Sequence, residues 1–334
     1  MKRALAFGLA IAMVVASLAI RHVLDSDSSG RDSGSGDAFR LLCATELRDV
    51  CDQAFGGDDG IVIKFENPGR TADSLVNLKS NKDLGFDGWL APGPWSDILA
   101  DNRRFAGVKG DLLGGDSDVL ARSPVVIAML PNAAKDVTSG ACGPDVLWTC
   151  LVDQARNGGA IRIGVPDPGR GDGIAVAASA VSSLFDTTDY SASDLEQGDF
   201  SSYFESLTKL SRTTKLGSRT VLQTALTSLG SFSVIGTVEA EIAMLSSASD
   251  GLAIRYPEPM VTADVRLSTR KGLMAKDALD ELDPDRLAEA LAANGWRVKG
   301  QVPSKGAIGS EDLPATSNMA SAGVLQLLRN EWSN

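Results

Sequence analysis

The chemistry open to this chain is bounded first by one residue. His22 is the only histidine among 334 residues, and it lies beside an apolar N-terminal run. No Ser-His-Asp or Cys-His arrangement can then be assembled in the body of the protein, and histidine metal sites are excluded with it. The four cysteines fall into two pairs of equal spacing, Cys43 with Cys51 and Cys142 with Cys150, and no CxxC occurs. Four cysteines allow three pairings, and in an exported chain the matched spacing favours two local disulfides, each worth roughly 2–3 kcal/mol in the chain-entropy model. Gly169, Gly171 and Gly173 interleave with Arg170 and Asp172 but form neither a P-loop nor a GxGxxG fingerprint. Acidic residues number 43, and nothing in their spacing selects two for glycoside hydrolysis. The chain therefore reads as a binding protein rather than an enzyme, with no cofactor and no metal.

A formal net charge of −11 argues against a nucleic-acid partner, which would need clustered Lys and Arg. Lys2 and Arg3 precede an uncharged stretch from Ala4 to Ile20. A hydrocarbon core is crossed by about 17–25 apolar residues, so the stretch is long enough to span one. The two cations favour a cytoplasmic N-terminus and place the rest of the chain outside. The rival reading is a cleaved signal peptide, with Ser17 and Ala19 as small residues before the cut. Residues 1–24 are thus a membrane anchor or a signal peptide, with the anchor preferred. That makes the protein single-pass in the cell membrane with an extracellular main domain, or secreted if the signal is cut. Residues 25–37 are rich in Ser, Gly and Asp, cannot bury a core, and read as a flexible tether.

The chemistry-bearing residues must be held by the elements that follow. FRLLCAT (Phe39–Thr45), GIVIKFEN (Gly60–Asn67) and FDGWLAP (Phe86–Pro92) are strand-like, and each leads into a helical stretch. Leu47, Val50, Cys51 and Ala54 give the first helix its apolar stripe, and Thr71 is a candidate cap for the second. Repeated βα units imply an α/β fold with mostly parallel sheets flanked by helices. Asp118–Leu130 is long for one strand and contains Pro124, as expected of a segment crossing between two lobes. Gly251–Thr269 is a second such segment, broken by Pro257 and Pro259. Ala160–Pro168 is a strand, followed by a helix with a glycine-rich first turn. Helical stretches follow at Phe200–Leu210 and Arg219–Leu229, then the short strand SFSVIG and the helix TVEAEIAML. The tail from Met274 to Trp296 is helical.

The order of these motifs resembles bacterial extracellular solute-binding proteins with the type 2 periplasmic fold. RLLCATELRDV is similar to that family's opening strand and helix, and VLARSPVVIAML to its first crossing strand. IRIGVPDPGRGDGIAVAASAV resembles its second-lobe strand, turn and helix. ALAANGWRVKG and VLQLLRNEW resemble the terminal helices of an actinobacterial subgroup. That subgroup often continues into a von Willebrand A domain, whose metal motif is absent here. The resemblance implies two lobes joined by two crossing segments. Residues 38–121 plus 260–334 would form lobe 1 and 122–259 lobe 2, with a hinge at Leu120–Val126 and Ile254–Val261.

Ligands of open α/β sheets sit beyond the carboxyl ends of the strands. That rule selects Thr45, Glu46, Arg70, Thr71, Trp89 and Ser123 around the first lobe and the crossing. It adds Arg170, Gly171, Asp172, Gly173 and Thr237 on the second. The helix after Gly173 should present free N–H groups and a positive dipole end, which favours an anionic group, with Arg70 and Arg170 adding charge. The expected function is a tethered receptor that passes a small-molecule ligand to a membrane permease or envelope protein. The alternative is a non-transport cell-envelope interaction or regulatory module that keeps the fold.

Overall fold

Three βα units open the folded part of the chain, and their helices explain the parallel pairing of their strands. The computed structural model describes residues 38–140, 142–143, 146–159, 161–211, 220–228, 230–245, 251–299 and 313–333. The membrane segment and tether expected within 1–37 lie outside the described residues, as do Arg219 and Leu229, the two ends of one expected helix. Among the described residues no helix is long and apolar enough to cross a membrane.

Strand β1 (Phe39–Ala44) passes through a 3-10 turn (Thr45–Leu47) into α1 (Arg48–Phe55). β2 (Ile61–Glu66) leads to α2 (Pro68–Leu75), and β3 (Gly88–Pro92) to α3 (Trp95–Phe105). Each strand returns through a helix, so β1 pairs in parallel with both β2 and β3. α1 buries Val50, Cys51, Ala54 and Phe55, a single face at helical spacing. α2 does not begin at Thr71. Asn67 is its cap and accepts the Arg70 N–H at 3.0 Å, while Pro68 fills the first position at no cost because it has no N–H to satisfy. At the other end of α2, the buried Arg103 donates to the carbonyls of Leu75, Val76 and Leu78.

The remaining elements are β4 (Leu113–Asp116), β5 (Ala121–Met129), α4 (Pro131–Ser139), α5 (Trp148–Arg156), β6 (Ile163–Gly164) and α6 (Gly171–Phe185). They continue with α7 (Ala192–Leu195), α8 (Gly198–Ser211), α9 (Val221–Thr227), β7 (Val234–Val238), α10 (Glu239–Met244) and β8 (Ala253–Arg255). The chain closes with β9 (Thr262–Arg270), α11 (Ala275–Glu281), α12 (Pro284–Ala293), β10 (Arg297–Val298) and α13 (Ala322–Ser333).

The strand path is β2-β1-β3-β9-β5-β7-β6, with β4 added on β9 and β8 and β10 on β5. β5 is shared by both halves of this path. Ala121–Pro124 pairs antiparallel with β9, and Val125–Met129 pairs antiparallel with β7. The partner changes at Pro124, which has no N–H to give a ladder. Because β5 and β9 pair antiparallel with their neighbours, each half is a mixed sheet rather than a mostly parallel one. The expected segment 251–269 is two strands, β8 and β9, with Pro257 and a cis Glu258–Pro259 bond between them. Of the strand expected over 160–168, residue 160 lies outside the described residues, and among the described ones Ile163 and Gly164 pair with β7.

Trp89, Trp95 and Trp148 are fully buried, and α6 is buried on nearly all sides, the mark of a central helix. On α13, Trp332 stands edge-on to Phe204 of α8 at 6.1 Å, while Gln326 accepts from Asn102 of α3 at 3.1 Å. The last helix therefore touches both halves. Disulfides join Cys43 to Cys51 and Cys142 to Cys150, the two local bridges favoured by the spacing.

Candidate functional site

Where β1 and β3 end, the first half of the sheet faces the N-terminus of α6 from the second. The close approach is set by glycines. A Cβ on Gly171 would lie 2.3 Å from the Pro92 carbonyl oxygen at the end of β3. Gly69 at the start of α2 donates its N–H to the Gly169 carbonyl at 2.8 Å, and a Cβ there would meet that oxygen at 2.6 Å. Gly173 is crowded from its own side, since a Cβ would fall 1.9 Å from the Asp167 carbonyl oxygen. Beside these contacts lies a cavity of about 640 Å³, bordered by Thr45, Glu46 and Pro92 on one side and by Arg170, Asp172 and Glu241 on the other. A volume of roughly 300–1,000 Å³ is usual for a small-molecule site.

The Cys43–Cys51 bridge brackets the turn that carries Thr45 and Glu46, tying β1 to α1 on either side of it. Glu46 Oε1 accepts the N–H of Gly171, and its Oε2 accepts the Thr45 hydroxyl at 2.8 Å. A second α6 amide, on Gly173, donates to Asp172 Oδ1 at 2.9 Å. The chain's own carboxylates thus hold amide positions that the sequence reading expects to be free for an anion. Arg170 donates from Nε and one terminal nitrogen to the two oxygens of Asp172, at 2.8 and 3.0 Å. That fork geometry commits the guanidinium to Asp172.

Burial raises the pKa of Glu46 above the usual carboxylate range; the Arg170 charge and the Gly171 amide pull it back, and Asp172 adds to the rise. Glu241 is likewise raised, first by burial and then by Asp172, against the pull of Thr220, Thr237 and Arg170. Its Oε2 accepts the Thr237 hydroxyl, while its buried Oε1 has no hydrogen-bond partner among the described residues. Among the described residues no group of three or more His, Cys, Asp or Glu is arranged to hold a metal ion.

Thr45, Glu46, Arg170 and Asp172 border the cavity directly. Gly171 and Gly173 supply amides behind it, and Thr237, inside β7 rather than after it, orients Glu241. Ser123 is buried and accepts the Ala240 N–H at 2.8 Å, so it caps α10. The other three lie apart from the cavity wall. Arg70 is exposed, Thr71 is buried in α2, and Trp89 is core, 6.4 Å from the Phe86 ring. Sequence reasoning misses Glu241, one turn past the strand end it selects at Thr237. It also misses Trp296, which borders the cavity from the connection between α12 and β10. The alternation of TVEAEIAML marks both Glu239 and Glu241. Glu239, however, faces Arg297 and Tyr256 instead, and only the register of β7 and α10 separates the two.

No protein-family model and no curated protein matches the chain. Solved structures do match its fold. The periplasmic binding protein AfuA from Actinobacillus pleuropneumoniae, with fructose-6-phosphate bound, aligns over 89% of this chain and 98% of its own at TM-score 0.60 and 14% identity. A putative spermidine/putrescine ABC transporter protein from Listeria monocytogenes aligns over 89% and 99% at TM-score 0.57 and 10% identity. A periplasmic thiamin binding protein aligns over 91% and 97% at TM-score 0.52 and 15% identity. With its two half-sheets joined through β5 and its cavity between them, the chain has the two-lobed type 2 periplasmic-binding-protein fold.

Proposed function

We propose that this chain is a membrane-tethered extracellular solute-binding protein that captures a small ligand between its lobes and presents it to a membrane permease or envelope protein. The observation that carries this reading is the cavity of about 640 Å³ bordered by polar side chains from both halves of the sheet. In this reading lobe 1 comprises residues 38–121 plus 260–334 and lobe 2 residues 122–259, with the hinge at 120–126 and 254–261. The change of strand partner at Pro124 supports that hinge, and α13 spans the two lobes on the far side. Fructose-6-phosphate and thiamin, named for two proteins of this fold, are of the size such a cavity takes. The expectation of an anionic ligand has less support, since Glu46 holds the Gly171 amide and Arg70 is exposed.

Two experiments test the reading. Native mass spectrometry of the full-length chain should find a small molecule that co-purifies with it. Protease added outside whole cells should release a fragment beginning within 25–37. A mature N-terminus at Ile20 would show a cleaved signal and remove the tether from the proposal.

A further inference from the structure

The last part of the chain bears on both halves of the sheet and on the joint between them. Arg122 of β5 donates to the carbonyls of Pro314 and Ala315 at 2.6 and 2.9 Å. The N–H of Thr262, which opens β9, donates to the Ser317 carbonyl at 2.9 Å, and the Asn318 side chain donates to the Met260 carbonyl at 3.0 Å. This segment is thereby laced to both crossing strands. The chain then enters α13, which packs against α3 of the first half and against α6, α7 and α8 of the second. Val324, Leu325, Leu328 and Trp332 form its buried face.

The two halves are held by different chemistry. Arg329 donates to both oxygens of Asp73 on α2 at 3.2 and 3.0 Å and lies over the Trp95 ring at 5.2 Å, while Gln326 accepts from Asn102. These contacts fix α13 to the first half. On the second half Trp332, 7% exposed, stands edge-on to Phe204, which stacks on Phe200 at 5.3 Å. Arg329 also reaches the point where the halves touch. Gly69 donates its N–H to the Gly169 carbonyl, and a Cβ on Gly69 would lie 2.7 Å from Arg329 Nη2.

Resting on the two-lobed solute-binding reading above, we propose that residues 313–333 form a strap that holds the lobes closed in the absence of solute. A rotation that parts Gly69 from Gly169 carries α8 away from α13, because α13 stays with α2 and α3. Such a rotation exposes the Trp332 ring. Asp73 is 57% exposed, so its ion pair resists little, whereas a buried indole resists through its apolar area and its ring contact. Solute then adds to a closure the strap already favours, rather than creating it.

The test is amide hydrogen exchange, followed by NMR on the full-length chain dialysed free of solute. Two amides cross between the halves, Gly69 to the Gly169 carbonyl and Gly171 to Glu46. Two neighbours bond within their own half, Thr71 to Asn67 and Ile174 to Arg170. Trp332→Ala should speed exchange at Gly69 and Gly171 by about tenfold or more, with Thr71 and Ile174 unchanged, because opening exposes only the crossing pair. Trp332→Phe, which keeps a ring against Phe204, should stay near wild type. If Trp332→Ala does not fold, Asp73→Ala decides by the same comparison, with a smaller rise at the crossing pair. Equal acceleration of all four amides would reduce α13 to a source of stability, and no change at Gly69 and Gly171 would leave the lobes held by their front contacts alone. Either result overturns the strap and leaves solute binding untouched, since that reading is decided by whether a small molecule co-purifies.

Discussion

The carboxylate of Glu46 accepts the backbone N–H of Gly171, a residue 125 positions further along the chain. An acid from the turn after β1 thereby caps the N-terminus of α6, where the helix dipole favours negative charge. Gly171 also presses on Pro92 at the end of β3, so one residue provides both the steric fit and the electrostatic contact between the halves.

Gly171→Ala and Gly173→Ala should therefore fail in different ways. The added methyl on Gly171 meets Pro92 of the other half, and the lobes can part to relieve it. The added methyl on Gly173 meets Asp167 of its own turn, where no rigid-body motion helps. Small-angle scattering should show a larger radius of gyration for Gly171→Ala with little loss of melting temperature. Gly173→Ala should unfold more easily by about 1–3 kcal/mol in urea, the usual cost of overpacking. The opposite pattern would mean the α6 contact with Pro92 does not hold the lobes together.

Arg170→Ala should lose stability as well as any binding role. It leaves Asp172, which is 5% exposed, without its forked partner and removes the charge that restrains Glu46. Stranding one member of a buried pair costs about 3–5 kcal/mol. The arginine side chain is 26% exposed, so solvent screening puts the loss here nearer about 2 kcal/mol. Arg170→Lys should recover only part of it, because an ammonium cannot make the fork. Urea unfolding of the three proteins measures this directly.

The two disulfides differ in what they position. Each links residues eight apart, so removing either should cost roughly 2–3 kcal/mol of stability. Cys142–Cys150 anchors α5, whereas Cys43–Cys51 brackets Thr45 and Glu46. Paired Cys→Ala variants should thus lower the melting temperature similarly. Only the Cys43/Cys51 pair should also widen the radius of gyration, by freeing Glu46 from Gly171.

How much of this was legible follows from where each signal resides. The strands and helices of the opening βα units show in the local pattern of Leu41, Val50, Ile63 and Trp89, because burial of one face imposes its period on the sequence. The cysteine pairs were legible from spacing alone. Position within an element was not. The motif FDGWLAP suggests that Trp89 lies near a strand's carboxyl end, but the strand runs Gly88–Pro92, so Trp89 is its second residue and is buried in the core. Arg70 sits in the first turn of α2, but Asn67 and Pro68 start the helix early enough to aim its side chain outward. The rule for strand ends selects both Glu46 and Gly171, but their pairing with each other depends on how the halves meet. No local pattern encodes that. β4 and α4 carry too few periodic residues to announce themselves, and β10 is held by pairing with β5 rather than by its own sequence.

The last prediction separates two kinds of carboxyl by pH. Glu241 has a reference pKa of 4.5, and burial raises it in the folded protein, with Asp172 adding to the rise. Between pH 4.5 and that higher folded value the native state holds more protons than the unfolded chain, so stability grows as pH falls through this window. Below 4.5 both states are protonated and the effect is complete. Asp87 behaves in the opposite sense. Burial alone would raise it, but hydrogen bonds from the Arg40 side chain and backbone, with the charges of Arg40 and Arg270, outweigh burial and hold it below its reference 3.8. Its contribution is present above pH 3.8 and is lost as pH falls through the folded value. Melting temperatures of wild type, Glu241→Gln and Asp87→Asn across about pH 7.5 to 2.5 resolve the two. Glu241→Gln mimics the protonated acid, so it should melt above wild type at neutral pH, with the gap closing by pH 4.5. Asp87→Asn should melt below wild type at neutral pH, with the gap closing only under pH 3.8. A Glu241→Gln gap that stays constant from pH 7.5 to 4.5 would show that Glu241 titrates alike in both states, and that its Oε1 is hydrated rather than buried.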